Sequence, residues 1–157
     1  PNKYALANVK ARARMILLFE YANMDGNLVC GTSNKSEILI GYFTKYGDGG
    51  VDIQPIGDLY KTQVLELAKY LKIPKEIISK PPTAGLWHGQ TDEQELKLNY
   101  GELDRILLGL ERKMDIKDIA KGAGVKKSEV ERVKKMRAKS QHKRRTALIP
   151  KVGLRTP

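Results

Sequence analysis

The sequence predicts an α/β fold on three observations. A short apolar run, Leu28-Val29-Cys30, stops at the polar turn Gly31-Thr32-Ser33 and reads as a buried strand. A second extended segment, Asp52 to Ile56, follows the glycine-rich loop Gly47–Gly50, and Pro55 biases its predecessor toward the β region. Around both segments, apolar residues recur at helical spacing. Strand, then polar turn, then helix is how α/β proteins present ligands at the carboxyl ends of their strands.

Taken in order, residues 5–24 form a first helix, with Leu6, Val9, Ala13, Ile16, Leu17 and Met24 as its apolar stripe. Arg12 flanks that stripe and Arg14 points away from it, so Arg12 is the better candidate for an arginine held against a pocket wall. Asp25-Gly26-Asn27 is a turn. A helix follows the first strand from about Lys35, where Asn34 and Glu37 have the spacing of an N-terminal capping pair. Asp58 fits an N-cap for the helix Tyr60–Leu71, whose stripe is Val64, Leu67, Ala68 and Leu71. Pro74 opens a short helix, and Pro81-Pro82 closes it. Residues 83–92 are loop. Tyr100 to Arg112 is amphipathic through Leu103, Ile106, Leu107 and Leu110. Residues 115–139 read as two helices around Gly122 and Gly124, and residues 140–157 as an extended basic tail.

A chain of 157 residues with 41% hydrophobic content suits one domain with a real core. It divides into an α/β body (1–112), a basic helical segment (113–145) and a tail (146–157), with no internal repeat. No apolar run reaches the roughly 20 residues that span a membrane. The single cysteine, Cys30, is expected as a buried thiol in a reducing compartment, which makes the cytoplasm the default. Two strands are few for a parallel sheet, and the chain opens at Pro1, almost directly on a helix. Either a start residue was removed, or further strands precede this segment. Charge is uneven: residues 1–125 hold 17 basic and 16 acidic residues, residues 126–157 hold 12 and 2. Such a basic segment attracts nucleic acid, phosphorylated ligands or an acidic partner.

The stretch from Gly31 to Asp58 carries the chemistry. A hydroxyl at a strand-to-helix turn, here Thr32, can bond a nucleotide phosphate beside backbone N–H groups. Glu37 either closes the capping box with Asn34 or offers hard oxygen to magnesium. Lys45 and Lys61 supply charge for phosphates, Lys61 alternatively being a solvated helix lysine. Asp52 either ends a turn or binds a ligand, Thr83 is either loop or ligand contact, and His142 lies within a basic tail. Two distant histidines and one cysteine make no zinc site, and Trp87 and His88 are read as shaping their loop.

The combination is more specific than its parts. GTSNKSE with GYFTKYGDGG closely resembles the ammonia-using NAD synthetases, and the resemblance continues through KAR at 10–12, PIGDLYKTQV at 55–64, KPPTAGLW at 80–87, GQTDE at 89–93 and HKR at 142–144. It implies a Rossmann-like parallel sheet of the adenine-nucleotide α-hydrolase type. It implies ATP, deamido-NAD and ammonia as substrates, magnesium as cofactor, an acyl-adenylate intermediate, and a homodimer in which helices 5–24 and 100–112 could serve the interface. Matched position by position, Thr32, Lys61 and Thr83 contact ATP, with Lys61 and Asp52 as the catalytic pair. Glu37 is the metal ligand, and Arg12, Lys45, Asp52, His142 and Lys143 bind deamido-NAD. Such enzymes open with a Ser-Gly-Gly-x-Asp-Ser pyrophosphate loop that this sequence lacks, which implies that the loop and the first strands lie before Pro1 and that this segment is inactive alone. Gly85 stands where many relatives carry aspartate.

A rival from another class is a helix-turn-helix at 116–133, with Ala120, Gly124 and Val130 at its characteristic positions and Lys126, Lys127 and Glu129 toward a groove. The other reading is that this basic pair carries His142 and Lys143 to the active site. Nucleic acid is not the expected partner.

Overall fold

Helical periodicity dominates the computed structural model, which describes residues 2–150 and 152–153. Eight α-helices follow in order: α1 (Lys3–Asp25), α2 (Lys35–Ile40), α3 (Lys61–Tyr70), α4 (Lys75–Ile78), α5 (Asp92–Leu96), α6 (Tyr100–Glu111), α7 (Ile116–Ala123) and α8 (Lys127–Lys139). A 3-10 turn, Gln141–Arg144, follows. The expected sheet is reduced, among the described residues, to one parallel bridge between Cys30 and Ile53. Backbone bonds from Gly31 N to Ile53 O (2.8 Å) and from Asp52 N to Val29 O (3.0 Å) hold it. Two segments cannot bury both faces of a parallel ladder, so Leu28 and Ile53 are exposed and pairing stops at one step.

The core is built on α6. Leu103, Ile106 and Leu107 are fully buried against Ile119, Ala120, Val130 and Val133 of α7 and α8, with Ile40 and Tyr60 completing the cluster. The apolar face of α6 is therefore spent inside the molecule and is not free for an interface. Gly124, at φ 72°, lets α7 end and α8 begin.

Several expectations change. In α1 the buried residues are Ala7, Ala11 and Ala22, while Leu6, Val9, Ile16, Leu17 and Met24 are exposed. Alanines at i and i+4 let the helix lie close to its neighbours; the bulky stripe faces outward. No residue of α3 is buried, and Tyr60 rather than Asp58 is its N-cap. Asp58 instead pairs with Lys35 at 3.1 Å, and Lys35 also meets Glu111 at 3.2 Å. Cys30 is exposed, not buried. The stretch after Ser140 is not uniformly extended: residues 141–144 turn back onto α2. Of the expected tail, residues 151 and 154–157 lie outside the described residues.

Candidate active site

Where α1, the turn after Cys30, α2, the 41–51 loop and the 83–95 segment meet, they leave a cleft of about 630 Å3. Four of the sequence-predicted residues line it: Thr32, Glu37, Thr83 and Lys143. Glu37 is set there by a complete capping box. Asn34 accepts the Glu37 N–H at 3.1 Å, and Glu37 Oε2 accepts the Asn34 N–H at 3.0 Å. That leaves Oε1 as the oxygen open to a ligand. Burial pushes the Glu37 carboxyl above its usual range; the bond from Asn34 and the Lys61 charge pull it back, and the Asp92 charge pushes it further up. Lys61 does not line the cleft, but its charge is felt at Glu37. Its backbone N–H donates to Ser36 Oγ at 2.9 Å.

Of the other predicted residues, Lys45 lines a neighbouring hollow of about 500 Å3 together with Lys143 and Arg144, and Arg12 and His142 bond to Lys45. A chain of hydrogen bonds joins them. Arg12 Nε and Nη2 donate to Lys45 O at 3.3 and 3.2 Å, and Lys45 Nζ donates to the His142 carbonyl at 2.7 Å. Lys143 Nζ donates to Gly41 O and Phe43 O, both at 2.7 Å, on the wall between the two cavities. Burial lowers the Lys143 pKa, partly countered by Asp48. Arg12 is thus tied to the loop, and Arg14 is the α1 arginine on the cleft wall. Asp52 stands apart: it is exposed, and its Oδ2 accepts the Val29 N–H at 2.8 Å.

One wall was not foreseen. Tyr42 donates to Glu95 Oε2, which also accepts from Gln90 Nε2 at 3.0 Å. Tyr100 donates to Asp92 Oδ2 at 2.8 Å, and the buried Asp92 Oδ1 has no partner among the described residues. Burial, with these carboxylates close by, raises the pKa of both tyrosines. The motifs GYFTKYGDGG and GQTDE contain Tyr42, Gln90 and Asp92, and neither motif by itself points to a ligand role for them. Among the described residues no three His, Cys, Asp or Glu side chains converge as a metal cage. Magnesium does not need one: a single carboxylate such as Glu37, completed by substrate phosphates and water, is its ordinary setting.

A family model described as NAD synthase matches residues 1–147. The chain belongs to the NAD synthase family. It is 49% identical over 150 residues to the NH3-dependent NAD(+) synthetase of Pyrococcus horikoshii, covering 95% of this chain and 58% of that protein. Among solved structures, it resembles NMN synthetase from Francisella tularensis (42% identity, TM-score 0.82, 96% of this chain and 58% of that one). It also resembles the NH3-dependent NAD synthetase of Campylobacter jejuni, solved in complex with nitrate (32% identity, TM-score 0.75, 96% and 57%). The chain therefore spans under three-fifths of these relatives. Residues 116–133 do form two helices about Gly124, but they lie inside the NAD synthase match and pack on α6, and nothing in these relatives' names supports DNA binding. No helix among the described residues is long and apolar enough to cross a membrane.

Proposed function

We propose that this chain supplies part of the active site of a cytoplasmic, homodimeric NAD synthetase that amidates deamido-NAD with ATP and ammonia. The observation that carries this reading is the meeting of Thr32, Glu37, Thr83 and Lys143 in one cleft, with the Lys61 charge reaching Glu37. The nicotinate carboxylate attacks the α-phosphate of ATP, pyrophosphate leaves, and ammonia displaces AMP from the acyl-adenylate. Thr32, Lys61 and Thr83 hold the nucleotide, and the Lys61 ammonium offsets charge that grows on phosphate oxygens. Arg12, Lys45, His142 and Lys143 hold deamido-NAD, and Asp52 sits toward its nicotinate end. Glu37, through Oε1, would hold magnesium, which screens the phosphates when bound.

In the same reading, the segments bridged at Cys30 and Ile53 belong to a Rossmann-like parallel sheet whose other strands come from residues outside this chain. So does the Ser-Gly-Gly-x-Asp-Ser loop, and the chain alone is expected to be inactive. The exposed apolar face of α1 meets a second copy. Likeness to an NMN synthetase favours one other acceptor, a mononucleotide in place of deamido-NAD. The test is calorimetric binding of ATP with and without magnesium. Glu37→Gln should remove the magnesium-dependent part of the affinity; an unaltered magnesium effect removes Glu37 from the metal site.

A further inference from the structure

Helix α6 reaches Lys61 directly through Tyr100 and, by way of Ser36, through Asp104. Tyr100, the first residue of α6, is 5% exposed, and its ring lies 5.5 Å from Lys61 Nζ. That is within cation–π reach. The Tyr100 hydroxyl is clamped on Asp92, which fixes the ring. One turn along α6 stands Asp104, also 5% exposed. Its Oδ2 accepts the Thr62 N–H at 2.9 Å, and its Oδ1 accepts the Ser36 hydroxyl at 2.5 Å. Ser36 Oγ in turn accepts the Lys61 N–H. Among the described residues no ion pair engages Asp104. Its charge is instead met by the Ser36 hydroxyl of α2 and by the Thr62 N–H at the N-terminus of α3, where the helix dipole favours an anion. A buried carboxylate is costly without such donors, so the geometry is tightly held. Ser36 also precedes Glu37 directly, so the same carboxylate steadies both elements that carry the acid and the lysine.

We propose that Tyr100 and Asp104 are positioning residues for Lys61: the ring seats its ammonium, and the carboxylate, through Ser36, seats its backbone, within charge reach of Glu37. The proposal rests on the reading of Lys61 as the lysine that meets nucleotide phosphates. The experiment is NMR on the 157-residue chain with 13Cε-labelled lysine, the Lys61 signal being assigned through Lys61→Arg. Facing an aromatic ring, the Lys61 ε-protons should resonate upfield of exposed lysines. Tyr100→Phe should keep that shift, and Tyr100→Leu should abolish it; Tyr100→Met gives the same contrast should the leucine variant not fold. Asp104→Asn should speed amide exchange at Lys61 and Thr62 roughly tenfold, as loss of a charged hydrogen bond predicts, and leave Leu107 unchanged. A Lys61 signal at the same position in Tyr100→Leu, or unchanged exchange in Asp104→Asn, overturns the proposal. Adding ATP separates the two readings: a Lys61 signal unmoved by ATP at a concentration where calorimetry shows ATP bound to this chain removes its phosphate role, while the ring shift still reports positioning.

Discussion

Lys143→Met tests how the turn after α8 is bound to the cleft. The substitution keeps most of the methylene stem and removes the ammonium. In the structure that ammonium closes two bonds of 2.7 Å, to Gly41 O and Phe43 O, at the carboxyl end of α2. Gly41 is at φ 72°, and a side chain there would occupy the place of Ser140, so neither strand of this contact can readily shift. Two hydrogen bonds to a charged donor are together about 3–6 kcal/mol. Burial of the ammonium, which lowers its pKa, takes back a part. The net loss should be roughly 2–3 kcal/mol. With a urea dependence of about 2 kcal/mol per molar, the unfolding midpoint should fall by about 1 M. Arg144 remains as a second anchor, through bonds to Leu39 O at 2.7 Å and Arg137 O at 2.6 Å, so the turn should loosen without detaching. A midpoint equal to that of the parent chain would falsify the claim that this lysine is a structural tie as well as a cleft wall.

Burial raises the Glu37 carboxyl above its ordinary 4.5, so the folded chain holds this proton longer than the unfolded one. Its contribution to stability is then greatest in acid and declines as pH rises from 4.5 through the raised value. Glu37→Gln should flatten that decline in urea titrations; an identical pH profile would show the shift to be absent. Ile16, 61% exposed on α1, should matter to association and not to the core: Ile16→Asp should shift sedimenting material toward monomer, and equal masses for both proteins would remove α1 from the interface.

What was legible followed from local chemistry. The Asn34–Glu37 spacing specified its capping box, and Leu103, Ile106 and Leu107 specified the buried face of α6, because caps and helical stripes are decided within one or two turns. The face of α1 was misjudged because an apolar stripe marks what seeks burial, not what finds it within one chain. Ala7 and Ala11 go inside since their size permits close approach, and this is also what turns Arg14 to the cleft. Asp104 did leave a signal: an acid beside the apolar stripe of α6 asks for buried donors. Its partners on α2 and α3 are 68 and 42 residues away, and no local rule reaches them. Tyr42 and Glu95 are paired across 53 residues, and nothing in the sequence pointed to their pairing.

The charge pattern of the cleft constrains what can enter it. Glu37, Asp92 and Glu95 stand along one wall, and Arg14 and Lys143 on others. A bare polyphosphate drawn to the arginine and lysine would face the carboxylates at short range, where each like-charge pair costs about 4 kcal/mol at 4 Å for an effective dielectric near 20. Three such pairs would exceed what one arginine and one lysine return at the same distance. A divalent cation reverses the sign of those terms, since it is attracted by the wall and by the phosphates together. On the proposed function, the acidic wall would favour a phosphate ligand that arrives with its metal over the same ligand without it. On this ground magnesium dependence should appear already in binding, before any chemistry, and Glu37, whose Oε1 is left over from its cap, is where that dependence should be lost.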